Sequence, residues 1–414
     1  MATSYLAPGV DVEEVPSGAR PIEAVGTSTA AFVGVAPDGT ARVNEAVAIN
    51  NWTEFLRNYV KPENTDHSPL AQAVYGFFLN GGGRCYVVNV GPGQPIVGDA
   101  KGRRGLDLLE AIDEVALVAA PGYTDPASQD SVISHCEKMR DRFAVLDAPM
   151  LSGNVQINLL TQVAQVGDTK KPKAGAGAGS GDAAVAADAP LAGPMRCRES
   201  NFAAYYAPWL RTRNALNATQ VVETPPSGYI LGIYARSDAE RGVHKAPANE
   251  VVRGALAVCY QFTQQEQEVL NPAGVNCIRF FLNEGIRVWG ARTVAADKQW
   301  KYVNVRRLFI MIEESIAQST RWVVFEPNDV GLWKQIVCGV SAFLTRLWRQ
   351  GALVGRTPEQ AFYVKCDAET NPPENVDLGI VTIEIGIAPV KPAEFVVFRI
   401  GQGVAGAQAE PAQA

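Results

Sequence analysis

Short runs that are apolar on both faces alternate along the chain with stretches of helical spacing. Thr29-Ala30-Ala31-Phe32-Val33-Gly34-Val35 reads as a buried strand, 70–80 as a helix stopped at Gly81-Gly82-Gly83, and Cys85-Tyr86-Val87-Val88-Asn89-Val90 as the next strand. Residues 106–112 have helical spacing, 115–120 form an apolar run ending at Pro121-Gly122, and 128–140 are again helical before Phe143-Ala144-Val145-Leu146. Strands of this kind must be covered on both faces, and the helices between them supply the cover. The pattern predicts an α/β fold, a mixed and mostly parallel sheet flanked by helices. It resumes at Phe202-Ala203-Ala204-Tyr205-Tyr206, and 228–238 predicts a helix leading into a turn around His244.

The last third is the most regular. Val305, Leu308, Phe309, Ile312 and Ile316 share one helix face; Trp333, Ile336, Val337, Val340, Leu344 and Leu347 form a second stripe, ended by Gly351. A strand over 380–387 carries Val381, Ile383, Ile385 and Ile387 on one face and Thr382 and Glu384 on the other; a last strand covers 394–400. The first of these helices opens with Arg306 and Arg307 and carries Glu313 and Glu314 further on. That order opposes the helix dipole by a few tenths of about 1 kcal/mol per charge. The four charges are therefore candidates for pairing with another element or another subunit, a solvated face being the alternative.

Between 167 and 194 the composition changes to Lys170-Lys171-Pro172-Lys173 and the run Gly175-Ala176-Gly177-Ala178-Gly179-Ser180-Gly181, which cannot bury enough apolar surface to offset its ordering entropy. It reads as a flexible surface linker. At the N-terminus, Pro8-Gly9 and Pro16-Ser17-Gly18 isolate one strand, with Val10, Val12 and Val15, that has no hairpin partner. At the other end Phe395, Val397, Phe398 and Ile400 read as a strand apolar on both faces except for Arg399, followed by a Gln/Ala/Pro-rich stretch. Backbone groups of a lone strand need a ladder from elsewhere, so both ends read as strands completed by another chain. The resulting division is a linking arm over 1–20, an α/β part over 21–166, the linker over 167–194, a core over 195–388, and a linking strand with its tail over 389–414.

Of 414 residues 47% are hydrophobic and 19% charged, which suits a protein with a buried core. The net charge of −6 argues against a nucleic-acid surface. No apolar run approaches the ~20 residues of a membrane span, and the first residues lack the basic start and apolar stretch of a secretory signal. The seven cysteines are odd in number and widely spaced, as expected of reduced thiols in a protein folded in the cytoplasm. The three histidines lie outside any HExxH pattern, and neither CxxC nor GxSxG occurs. The glycine run fits neither phosphate-loop template. Asp367-Ala368-Glu369 reads as a solvated loop before a hard-metal site, and His244 as a turn residue. No catalytic residue, cofactor or metal ligand is assigned.

Several blocks together resemble the contractile tail sheath family. They are Gly285-Ile286-Arg287-Val288-Trp289-Gly290-Ala291-Arg292-Thr293, Trp300-Lys301-Tyr302-Val303-Asn304-Val305-Arg306-Arg307-Leu308, Ile312-Glu313-Glu314-Ser315-Ile316 and Trp322-Val323-Val324-Phe325-Glu326-Pro327-Asn328. Leu347-Trp348-Arg349-Gln350-Gly351-Ala352-Leu353, Ala361-Phe362-Tyr363-Val364-Lys365-Cys366-Asp367 and Pro389-Val390-Lys391-Pro392-Ala393-Glu394-Phe395 are similar to the same proteins. So are Ala7-Pro8-Gly9-Val10-Asp11-Val12-Glu13-Glu14-Val15 and Gly242-Val243-His244-Lys245-Ala246-Pro247-Ala248-Asn249, with His244 where Trp is common. The likeness covers the arm and most of 226–400, and is loose over 40–225, where the linker stands in place of a bulky outer domain.

The resemblance implies a structural protein that stacks as hexameric rings around an inner tube, with baseplate and cap proteins as further partners, in a phage-like or extracellular injection particle. Neither nucleic acid nor membrane is expected as a partner of this subunit. Contraction would draw on the difference between two subunit packings. Inward-facing elements of the C-terminal core would hold the tube; Lys334, Arg346 and Arg349, on a helix side almost without acid, are the candidates. A nucleotide-binding α/β enzyme and an adhesion or surface-layer protein are the competing readings.

Overall fold

The apolar runs fall side by side in one sheet, in an order that the chain reaches by crossing over. The computed structural model describes residues 21–99, 102–151, 157–164 and 193–395. The strand with Val10, Val12 and Val15, the glycine run, and Val397, Phe398 and Ile400 lie outside the described residues. The principal elements are β1 (Ala30–Gly34), β2 (Ala46–Ile49), α1 (Pro69–Leu79), β3 (Cys85–Asn89), β4 (Leu117–Ala119), α2 (Pro126–Met139), β5 (Phe143–Asp147), β6 (Ala203–Ala207) and α3 (Ser227–Arg241). There follow β7 (Glu250–Val251), β8 (Val275–Phe281), β9 (Gly285–Val288), α4 (Val303–Ser319), α5 (Val330–Arg349), β10 (Phe362–Lys365) and β11 (Glu384–Ile387).

The nine-stranded sheet runs β7-β9-β8-β6-β5-β4-β1-β3-β2. Neighbours from β8 to β3 pair in parallel, and the flanking β7, β9 and β2 pair antiparallel. Every residue of β1, β4, β5 and β6 is buried, which is why these strands carry no polar alternation. A smaller sheet of Leu210–Arg213, Val221–Thr224 and Ala255–Val258 lies beside it in sequence. Among the helices, α3 lies directly on α1 because glycines leave room: a Cβ at Gly228 would stand 2.3 Å from the Ala73 Cα, and one at Gly232 2.5 Å from the Phe77 oxygen.

A second hydrophobic cluster occupies the C-terminal part. Leu308, Met311 and Ile312 of α4 meet Trp333, Ile336, Val340, Phe343, Leu344 and Leu347 of α5, and Ile22 joins them. Val303 and Ile310 of the same α4 belong to the main cluster around the sheet. The helix is thus a beam shared by two cores.

Three expectations are corrected in extent. The stretch 106–112 is a 3-10 helix, Leu106–Ala111, and the apolar run at 115–120 narrows to the three residues of β4. The strand expected over 380–387 is confined to β11. The backbone of Thr382 is satisfied by one side chain instead of a neighbouring strand: its N–H donates to Asn371 Oδ1 at 2.6 Å and its oxygen accepts from Asn371 Nδ2 at 3.1 Å. Val381, Ile383, Ile385 and Ile387 still pack on the second cluster.

Candidate functional site

The inverted charges of α4 find partners within the chain. Arg307, 3% exposed, forks onto Asp238 of α3, with Nη2–Oδ2 at 2.6 Å and Nη1–Oδ1 at 3.0 Å. Thr27 Oγ1 donates to the same carboxylate at 2.6 Å and the Thr27 oxygen accepts from Arg307 Nη2 at 3.0 Å. The guanidinium lies 4.8 Å over the Tyr234 ring. Three separate segments are tied at one buried node. Arg306 stands over the rings of Phe202 and Trp300 and reaches Glu313 of its own helix at 3.2 Å. Burial pushes its pKa down, and Glu313 opposes that shift. Glu314 accepts from Gln318 at 2.7 Å, again within α4.

Both terminal segments are pinned where they meet the body. On the N-terminal side, Ser319 and Ser315, one turn apart on α4, accept the N–H groups of Glu23 and Val25 at 3.3 and 3.0 Å. The spacing of two residues in an extended chain thus matches one helical turn. Arg346 of α5 donates to the Ile22 oxygen at 2.5 Å. On the C-terminal side, Glu394 receives Arg292 in a bidentate pair at 2.6 and 2.7 Å, with Asn271, Lys301 and Tyr302 donating at 3.0, 3.1 and 3.2 Å. Burial alone would raise the Glu394 carboxyl; the hydrogen bonds from Arg292, Asn271 and Lys301 outweigh it and hold the pKa at about 2. Phe395, the next residue, is 72% exposed. Glu394 and Asp238 were not singled out in the sequence, because their partners lie 102 and 69 residues away.

Beside these roots lies a two-stranded ribbon. β10 and β11 pair antiparallel from Phe362↔Ile387 to Lys365↔Glu384, and neither pairs with a further strand among the described residues. Isolated two-stranded ribbons are marginal in water, whereas added strands stabilise them. On α5, Lys334, Arg346 and Arg349 are all exposed. At 3.6 residues per turn Arg349 lies roughly 60° round the helix from Lys334, and Arg346 roughly 60° beyond it, toward the buried face where it holds Ile22. Lys334 and Arg349 are the cations left on the solvent side.

The nucleotide reading would use the carboxyl ends of the parallel strands, where a helix N-terminus faces a ligand phosphate. In this chain Asp147, at the end of β5, fills that place. Its carboxylate accepts from the Ser227 N–H and Oγ, both at 2.7 Å, and from the Gly122 N–H at 3.3 Å. Burial raises its pKa to about 6, against these hydrogen bonds. His244 sits in a turn, its oxygen accepting from Asn304, and Asp367 closes its own loop onto the N–H groups of Glu369 and Thr370. Among the described residues no group of three or more His, Cys, Asp or Glu is placed to hold a metal ion, and no helix is long and apolar enough to cross a membrane.

The segment containing the glycine run leaves and re-enters through a closed neck. Val163 and Arg196 form a parallel bridge, Ala164 N–H donates to the Arg196 oxygen at 2.8 Å and Arg196 N–H to the Gln162 oxygen at 3.0 Å. Arg196 Nη2 reaches the Val294 oxygen at 3.1 Å, fixing the exit to the body. Replacing 168–190 by a few Gly and Ser residues is therefore expected to leave the melting temperature and any assembly unchanged. Calorimetry and electron microscopy check this; loss of assembly by the shortened chain would show that the segment makes a lattice contact.

Residues 98–294 match the family model of the phage tail sheath protein central domain and 295–402 that of the phage tail sheath C-terminal domain. The first match reaches well into the stretch whose motifs resembled the family only loosely. A putative prophage major tail sheath protein of Pseudomonas aeruginosa (strain UCBPP-PA14) is 28% identical over 193 residues, 45% of this chain and 47% of that protein. The tail sheath protein of Escherichia phage P2 is 28% identical over 177 residues, 41% of this chain and 42% of that one. The match thus spans less than half the length of these curated relatives. Among solved structures, the contracted PVC sheath complex of an extracellular contractile injection system covers 97% of this chain and 99% of its own at 30% identity and a TM-score of 0.74. The contracted helical sheath of the anti-feeding prophage covers 97% and 100% at 29% identity and a TM-score of 0.70.

Proposed function

The chain belongs to the phage tail sheath family, and from that premise we propose that it is the repeating subunit of a contractile sheath around an inner tube, in a phage-tail-like injection particle. The observation that carries this reading is the end-to-end likeness to a subunit of a contracted injection-system sheath. Work is done by switching between two subunit packings, so the subunit needs rigid bodies and reliable links more than a reactive centre. The pinned roots on α4 and at Glu394 are suited to that task. The links are the terminal strands around Val10, Val12 and Val15 and around Phe395, Val397, Phe398 and Ile400, laid on the open edges of the β10–β11 ribbon of a neighbouring copy. Copies stack as hexameric rings, fold in the cytoplasm, and end on baseplate and cap proteins. Negative-stain microscopy of the purified chain, alone and with the inner-tube protein, tests the reading: tubes are expected, and discrete monomers under both conditions would overturn it.

The tube is held by the solvent side of α5. Lys334 and Arg349 present cations with no acid on that helix, and so favour an acidic partner. Lys334→Glu with Arg349→Glu is expected to reduce tube co-assembly at low salt by at least tenfold while the melting temperature holds, since neither side chain has a structural partner to lose comparable to that of Arg346. Co-assembly equal to wild type, measured by co-sedimentation, would move the tube contact elsewhere.

A further inference from the structure

We infer that Glu394 is a positioning residue that fastens the outgoing C-terminal segment across the boundary between the two family domains, so that a pull on this segment is delivered to the central domain. The inference rests on the sheath reading for the word pull, and on geometry for the rest. Asn271 and Arg292 lie within the central-domain match, whereas Lys301, Tyr302 and Glu394 itself lie within the C-terminal one. Five donors converge on one carboxylate, two on Oε1 and three on Oε2. The receiving arginine is itself built in. Arg292 Nη1 donates to the Asn271 oxygen at 2.8 Å, and its backbone N–H and oxygen are both held at 2.7 Å by the side chain of Asn276 on β8. The path from the segment therefore runs through Arg292 and Asn276 into the nine-stranded sheet.

Exposed ion pairs hold little, because water and side-chain entropy compete with them. This one is bidentate and mostly shielded, the two side chains being 9% and 19% exposed, so it can hold a chain segment in register. Before it, Val390 donates to the Ala352 oxygen at 3.2 Å and Pro389 bridges to Leu353, which are contacts to the C-terminal domain alone. Without Glu394 the segment would stay on its own domain and lose its tie to the other. Phe395, directly after this anchor, is exposed.

The test uses the full chain. In unassembled protein, Glu394→Gln is expected to raise amide hydrogen exchange over 388–395 at least tenfold, well beyond any change over α4 and β8, with a lower melting temperature because Arg292 keeps its charge without its carboxylate. Lys301→Met, which removes one donor and spares the arginine fork, should raise exchange over the same residues by less. Unchanged exchange in both variants would overturn the fastening role. Assembled tubes of Glu394→Gln are expected to dissociate at lower urea than wild-type tubes; equal urea dependence alongside raised exchange would overturn the transmission of load. If wild-type chain forms no tubes, the sheath reading fails and the load role with it, while the exchange measurement still decides the fastening.

Discussion

Removal of residues 1–18 is expected to leave a folded, soluble monomer that builds no tubes. Among the described residues, the contacts of the N-terminal segment with the body begin at Ile22, which is buried in the second cluster and held by Arg346, and continue through Glu23, Val25 and Thr27. The deletion stops short of all of them. What it removes is the segment with Val10, Val12 and Val15, expected from the sequence to form a strand whose backbone groups need a partner from elsewhere. A short strand contributes a handful of net hydrogen bonds at about 1 kcal/mol each, a weak link singly but one repeated at every lattice position. Circular dichroism and thermal melting report the fold, and negative-stain microscopy the assembly. Ordered sheaths from the truncated chain would show that the N-terminal strand does not hold the lattice.

The second large effect lies at the buried node. Asp238→Ala leaves the Arg307 charge 3% exposed and without its carboxylate, a situation that costs about 3–5 kcal/mol in comparable sites. The same change frees the Thr27 hydroxyl, so the N-terminal segment loosens with it. Chemical denaturation should register the loss as a lower midpoint with the slope retained. Asp238→Ala combined with Arg307→Met removes both charges and is expected to recover much of the loss, because the cost of a broken buried pair is mainly that of the ion left behind. A single variant as stable as wild type would mean that Arg307 finds another partner or reaches water.

The α/β class and the paired helices were legible because they rest on period. β1, β4, β5 and β6 are buried on both faces and so appear as unbroken apolar runs, and the stripes of α4 and α5 recur at helical spacing over many residues. The two-residue β7 and the small sheet at Leu210–Arg213 escaped, since strands this short carry too few alternations to stand out from a loop. The site was legible only in part. The dipole argument marked Arg307 as needing a partner, but nothing local to residue 307 points to Asp238, and Glu394 sits in a Pro-rich stretch without periodicity. Long-range polar pairs are set by topology, which spacing alone does not encode.

The closed neck at Val163 and Arg196 also bears on how such a chain can change over generations. Because the ends of the intervening segment are already tied to each other, lengthening it by residues that stay unstructured costs only the entropy of a loop with fixed ends, which grows as a logarithm. Each doubling adds about 0.6 kcal/mol. Descendants of one ancestral chain can therefore carry a short loop or a whole folded module at this point while the register of every strand on either side stays as it was.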